Sequence, residues 1–195
     1  MKDHKWIFPL RKEVLGLTTD SDSFKNINIH EQVEIPSLPH VGSFGVERRF
    51  DVHKGVDLYA DVGTPVYAVE DGVVCLIRPF TGVDAGCDWW LDTEALNIAG
   101  ASGVAVYGEI SVNPGLYLGC EILRGEYIGF VKRVLKKDKG RPTSMLHFAL
   151  HKHGIQGNGV WKVGTRQPDG LLDPTPLLNS ATPLDKEFPC QSLSV

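Results

Sequence analysis

The stretch Gly63-Thr64-Pro65-Val66-Tyr67-Ala68-Val69-Glu70-Asp71-Gly72-Val73-Val74-Cys75-Leu76-Ile77 limits the fold more than any other part of the chain. Short β-branched runs meet at an Asp-Gly pair, the chemistry of a tight turn between antiparallel strands. The pattern recurs. Ala95-Leu96-Asn97-Ile98-Ala99 and Val104-Ala105-Val106-Tyr107-Gly108-Glu109-Ile110 flank the turn Gly100-Ala101-Ser102-Gly103 and form a hairpin, and Gly119 to Val131 supplies another strand pair through Arg124-Gly125-Glu126. No segment carries a sustained helical period, so the expected fold is mainly β, an antiparallel meander or sandwich.

At 195 residues the chain holds one well-cored domain with extensions. The change of character at Gly42 suggests an arm over 1–40, a core over 41–180 and a tail over 181–195. Apolar residues make up 42% and charged residues 23%, as in soluble globular proteins. With a net charge of −4, and only the short basic patch Lys132 to Lys139, a nucleic-acid partner is not indicated. No window approaches the roughly twenty apolar residues of a membrane span. Arg11, Lys12 and Glu13 interrupt the first apolar residues before a secretory signal is complete, so the default expectation is a cytoplasmic chain.

Four cysteines without C-x-x-C spacing fit reduced thiols, with a Cys75 to Cys87 disulfide left open. In the arm, Asp22 or Ser23 offers a cap that no helical period follows, and Ile27 to Ile35 reads as extended. Pro36 and Pro39 bracket a turn. Phe80 to Thr93 reads as a long loop with Trp89 and Trp90 as packing covers. Leu171 to Leu178 reads as an extended strap, with Asp173 capping a short turn.

The chemistry concentrates in Arg49-Phe50-Asp51-Val52-His53-Lys54-Gly55-Val56-Asp57. Residues four apart on a straight strand stand roughly 13 Å from each other, too far for two bonds of about 2 Å to one ion, so His53 and Asp57 share a metal only if the chain folds back between them. Gly55, midway, can take the backbone angles of such a kink. A third ligand is available in the alternating run Ser144-Met145-Leu146-His147-Phe148-Ala149-Leu150. His53, Asp57 and His147 make a two-histidine, one-carboxylate set with a fourth position open, as in catalytic zinc sites. The plainer reading makes them ordinary hydrogen-bonding or ion-pairing residues. His151 and His153 share the parity of His147 but lie too far along a strand to bind the same ion, and read as rim residues.

In this order, Gly42-Ser43-Phe44-Gly45, His53-x-x-x-Asp57, Gly63-Thr64-Pro65-Val66-Tyr67-Ala68 and His147-Phe148 resemble the lysostaphin and LytM type of zinc endopeptidase, from about Gly42 to Leu150. The resemblance implies a β-sheet groove of the duplicated hybrid motif type, one zinc ion on His53, Asp57 and His147, and cleavage of peptide cross-links in bacterial cell walls. It also implies two further histidines that handle the proton and the oxyanion. At those positions this chain has Glu109 and Met145. Glutamate serves as a base in other metalloproteases, so Glu109 is the expected catalytic base. Methionine cannot donate to an oxyanion, which leaves Tyr107, His151 or Arg48 to replace that donor. Two functions follow: a zinc peptidase of altered active site, or a non-catalytic zinc module whose groove holds a peptide, glycan or protein.

Overall fold

In the computed structural model the described residues are 5–11, 35–137, 143–155 and 159–184. The extended reading over 27–34, the cap at Asp22 or Ser23, most of the tail and Cys190 lie outside them. Among the described residues, nine strands join one antiparallel sheet system with a single short helix. The mainly β expectation holds.

The strands run in chain order: β1 (Val56–Tyr59), β2 (Pro65–Tyr67), β3 (Gly72–Thr81), β4 (Thr93–Gly100), β5 (Gly103–Val112), β6 (Glu121–Ile122), β7 (Tyr127–Val131), β8 (Met145–His151) and β9 (Leu171–Leu172). Spatially the path is β1-β8-β5-β4-β3-β6, with β7 pairing β5 and β2, and β9 pairing β8. The β4–β5 hairpin forms as read, closed from Gly100 to Gly103. The strand pair expected across Arg124-Gly125-Glu126 does not: β6 pairs β3, whereas β7 pairs β5 and β2. A turn places strands next to each other in sequence, but their partners are chosen by where each apolar face finds cover.

Strand alternation sorts the side chains. Leu146, Phe148 and Leu150 of β8, Ala105 and Tyr107 of β5, and Leu96 and Ile98 of β4 share the main core. Phe148 is its aromatic centre, edge-on to Trp6 at 5.6 Å and to Tyr107 at 5.2 Å. Each such pair adds about 0.5–1.5 kcal/mol to plain area burial. Tyr107 is wholly buried, and its hydroxyl accepts the Val69 N–H at 2.9 Å. Burial pushes that phenol's pKa up, so it stays neutral.

Within the stretch expected as an arm, Trp6, Phe8 and Leu10 belong to this core. Ile7 donates its N–H to Val69 O, Phe8 donates to Thr182 O, and Thr182 donates back to Trp6 O, so the start of the chain lies beside residue 182. The Trp6 indole N–H donates to Ser102 Oγ at 3.0 Å, and Ser102 in turn donates from both N–H and Oγ to the Glu70 carboxylate.

Several local readings change. The loop between β3 and β4 spans 82–92, and Trp89 in it is 61% exposed, edge-on to Trp90, so it is not the packing cover expected. The strap is a two-residue strand followed by a helix, α1 (Thr175–Ser180). Proline at the first helical positions favours that start, and Asp173 Oδ1 accepts the Thr175 N–H as the turn reading anticipated. Cys75, Cys87 and Cys120 are free thiols, with no disulfide between the first two. No helix among the described residues is long and apolar enough to cross a membrane.

Candidate metal centre

His53 lies in an irregular segment just ahead of β1, Asp57 is the second residue of β1, and Asp57 pairs directly with His147 across the β1–β8 ladder. The chain does turn back between His53 and Asp57. His53 Nε2 is 3.0 Å from Asp57 Oδ1, His147 Nδ1 is 2.9 Å from the same oxygen, and the two nitrogens are 3.2 Å apart. All three residues are buried. Three donors at about 2.0–2.1 Å from a tetrahedral zinc would stand about 3.3 Å from one another. The observed triangle is slightly tighter and nearly equilateral, so the donor set fits such an ion with little movement. Two imidazoles and a carboxylate are the ligand chemistry that zinc accepts.

Local sequence explains the convergence. Gly55 packs so tightly on β8 that an added Cβ would stand 2.5 Å from Phe148 O and 2.9 Å from the His147 ring. Its contribution is space, not the unusual backbone angle expected from sequence. Gly42-Ser43-Phe44-Gly45 wraps the other side. Asp57 N–H donates to Gly42 O, Gly45 N–H donates to His53 O, and His53 Nδ1–H donates to Ser43 O at 2.8 Å. That last bond turns His53 Nε2 toward the centre, the outer-shell device that orients metal-binding histidines. Phe80 closes the far side, its ring 5.3 Å from that of His147.

Arg48 completes the surroundings. A tight loop closed by pairing of Glu47 with Val52 folds it back, and its Nη2 donates to Asp57 Oδ2 at 2.6 Å and to Val41 O at 2.9 Å. One carboxylate oxygen is thereby held by a guanidinium while the other faces both histidines. Sequence reasoning named Arg48 only as one of three spare donors. Nothing in its position in the text revealed its partner.

The charges follow. Burial alone would raise the Asp57 carboxyl, but the charge of His53 and hydrogen bonds from His147 and His53 outweigh it and hold the group well below the usual range. Burial lowers His147, and although Asp57 opposes this, the imidazole remains easier to deprotonate than usual. An anionic carboxylate beside a neutral imidazole is the protonation state that metal binding requires.

Glu109 enters through a bulge. Opposite β4, Ile110 pairs with Glu94 and Tyr107 with Leu96, so Gly108 and Glu109 together face the single residue Ala95. Glu109 has φ = 63°, the left-handed region that non-glycine residues enter at a cost of about 1–3 kcal/mol. Bulges of this kind re-aim side chains next to functional sites. Its Oε2 is buried without a hydrogen-bond partner among the described residues. Burial, then the Asp57 charge, pushes its pKa well above the ordinary carboxyl value, with Arg48 partly opposing.

The remaining expectations divide. Met145 lies two residues before His147 on the same strand, hence on the same face. Tyr107 and Phe148 stack within the main core, so the tyrosine hydroxyl is turned away from the triad. His151, expected at the rim, is only 2% exposed and pairs with Val104 at the far end of β8. His153 is exposed.

A sequence model of peptidase family M23 matches residues 51–159. The chain belongs to peptidase family M23. All three of His53, Asp57 and His147 fall inside the matched region, in a family of metallopeptidases with the lysostaphin-type fold. Similar solved structures include the catalytic domain of the antimicrobial peptidase lysostaphin from Staphylococcus simulans, 20% identical, with a TM-score of 0.47 over 71% of this chain and 88% of that one. A mutant catalytic domain of the prophage-encoded M23 protein EnpA from Enterococcus faecalis is 25% identical, with a TM-score of 0.43 over 57% of this chain and 78% of that one. The protein cbpa from L. salivarius REN is 23% identical, with a TM-score of 0.44 over 71% and 84%. No curated protein matches the M23 chain at a significant level.

Proposed function

We propose that this M23 chain is a zinc-dependent endopeptidase acting on peptides of the cell-wall type, with His53, Asp57 and His147 as the metal ligands and Glu109 as the base. The observation that carries the reading is the buried, unpartnered Oε2 of Glu109 beside a triad whose donor atoms lie within 3.2 Å of each other. A structural carboxylate buried this way would be a net cost, whereas a base needs a free oxygen and a raised proton affinity. Zinc, when bound, supplies Lewis acidity that polarises the scissile carbonyl and acidifies a water.

The protein's own groups do the rest. Glu109 Oε2 takes a proton from the attacking water as its oxygen bonds to the carbonyl carbon. The same carboxyl then returns that proton to the amine nitrogen as the C–N bond breaks. Arg48 keeps Asp57 oriented through Oδ2, and of the three candidate oxyanion donors it is the one left once Tyr107 and His151 are set aside by position. Losing a dedicated oxyanion donor typically costs a hundred- to a thousand-fold in rate, so turnover is slow.

A second reading, a zinc-containing module that binds peptide without cleaving it, is favoured by one observation: Met145 occupies the face beside His147 and offers no donor. Incubating the zinc-loaded protein with oligoglycine peptides and muropeptides, with products read by mass spectrometry, separates the two. Cleavage that disappears in Glu109→Gln supports the peptidase. Binding without products in both forms supports the module and overturns the first reading.

A further inference from the structure

Arg78 sits on β3 two residues before Phe80, and its guanidinium carbon stands 5.5 Å from the centre of that ring. Phe80 in turn is 5.3 Å from the His147 ring. Arg78 therefore lies at most about 11 Å from a metal ligand, with one aromatic ring between them. It is half-buried, and burial lowers its pKa. Yet its hydrogen bond is a long 3.4 Å contact to the carbonyl of its own neighbour, Pro79. No carboxylate among the described residues comes within ion-pair distance of it.

Three carboxylates lie near Arg78, none within ion-pair distance, and two of them each hold one backbone N–H. Arg78 borders a cavity of about 360 Å³ that Asp84, Asp92 and Glu94 also line. Asp92 Oδ1 accepts the Val83 N–H, and Glu94 Oε2 accepts the Val112 N–H. Lys54, next to ligand His53, adds a second cation in range, with its Nζ donating to Gly159 O at 3.1 Å. A half-desolvated guanidinium held over an aromatic ring keeps its N–H edge in a fixed plane, which suits a planar carboxylate. Leaving such a cation unpaired is costly, and a ligand anion would remove the cost.

We infer that Arg78 is a specificity residue, recognising a carboxylate on the bound peptide within about three residues of the metal centre. The spacing follows from the distance, since an extended peptide covers about 3.3–3.6 Å per residue. The inference rests on the groove being a peptide site but does not need hydrolysis, so it names the substrate class as acidic peptides whichever of the two functions holds.

The test measures binding to the zinc-loaded protein by fluorescence anisotropy. The probes are N-acetylated, C-amidated oligoglycine peptides carrying one Glu, or one Gln, placed one to five residues from a fixed central Gly-Gly. Wild type is expected to prefer Glu to Gln by about tenfold or more at positions within three residues, as for a charge-assisted hydrogen bond. Arg78→Gln is expected to erase that preference while keeping its zinc content and its affinity for the Gln peptides, and Arg78→Lys to retain part of it. Equal affinity for Glu and Gln peptides in wild type, no measurable binding of any acidic peptide, or a preference that survives Arg78→Gln would overturn the inference. Absence of cleavage products in the same samples would count against the peptidase reading alone.

Discussion

Asp57 and His147 are direct partners across the β1–β8 ladder, and Asp57 Oδ1 accepts the His147 Nδ1 hydrogen bond at 2.9 Å. Residues separated by most of the domain are thus fixed against each other by strand register. A slip of one residue would turn one of them to the opposite face. The candidate triad is consequently as well determined as the sheet itself.

Gly55→Ala should damage fold and site together. The new methyl would meet Phe148 O at 2.5 Å and the His147 ring at 2.9 Å, so β1 must move away from β8. The expected loss is about 2 kcal/mol or more by urea denaturation, with zinc affinity falling in parallel. An unchanged midpoint and affinity would show that the close approach is not needed.

Trp6→Ala should cost about 3–5 kcal/mol, because the indole is buried, packs edge-on to Phe148 and donates to Ser102. Deleting residues 1–10 should be at least as harmful. A truncated chain with an unchanged melting temperature would place the domain boundary after this segment.

Glu109 gives the metal-free protein a distinctive pH response. Its folded pKa is raised, so between the ordinary unfolded value of about 4.3 and the folded value the native state holds the extra proton. Stability from this group is present below pH of about 4.3 and declines as pH rises through the folded value, by up to about 1.4 kcal/mol per pH unit. Asp57, with its depressed value, acts oppositely and below pH of about 4. Denaturation of the metal-free protein from pH 4.5 to 8 should show the decline in wild type and a flatter profile in Glu109→Gln. Parallel profiles would show that Glu109 is not held protonated.

Arg48→Gln should weaken zinc binding by about 10–100-fold, the usual effect of removing an outer-shell partner. Arg48 is partly exposed, with 34% of its side chain open to solvent, so the fold should persist. Competition with a chromophoric chelator measures the affinity, and circular dichroism checks the fold. Wild-type affinity in a folded variant would remove Arg48 from the site.

Much of this was readable in the sequence because it depends on local pattern. The β4–β5 hairpin and the strand around His147 follow from residues within a few positions of one another, whereas Asp71-Gly72 does not close a hairpin, since β2 pairs β7 and β3 pairs β4 and β6. The candidate triad was readable because His53 and Asp57 lie close in the text and His147 sits on a clear strand. What escaped depends on distant packing. The partners of β6 and β7, the burial of His151 and the docking of Trp6 are decided by which apolar faces meet, and no local period encodes that. Neither the Arg48 bond to Asp57 nor the bulge that aims Glu109 leaves a signature beyond ordinary residues in ordinary places.

The most direct measurement is the metal content of purified protein, dialysed against chelator, reloaded with excess zinc, freed of unbound ion by gel filtration and analysed by mass spectrometry. About one zinc per chain is expected for wild type, and almost none for Asp57→Ala or His147→Ala in samples that remain folded. A wild-type protein that retains no zinc, or variants that retain as much as wild type, would contradict a single ion held by His53, Asp57 and His147.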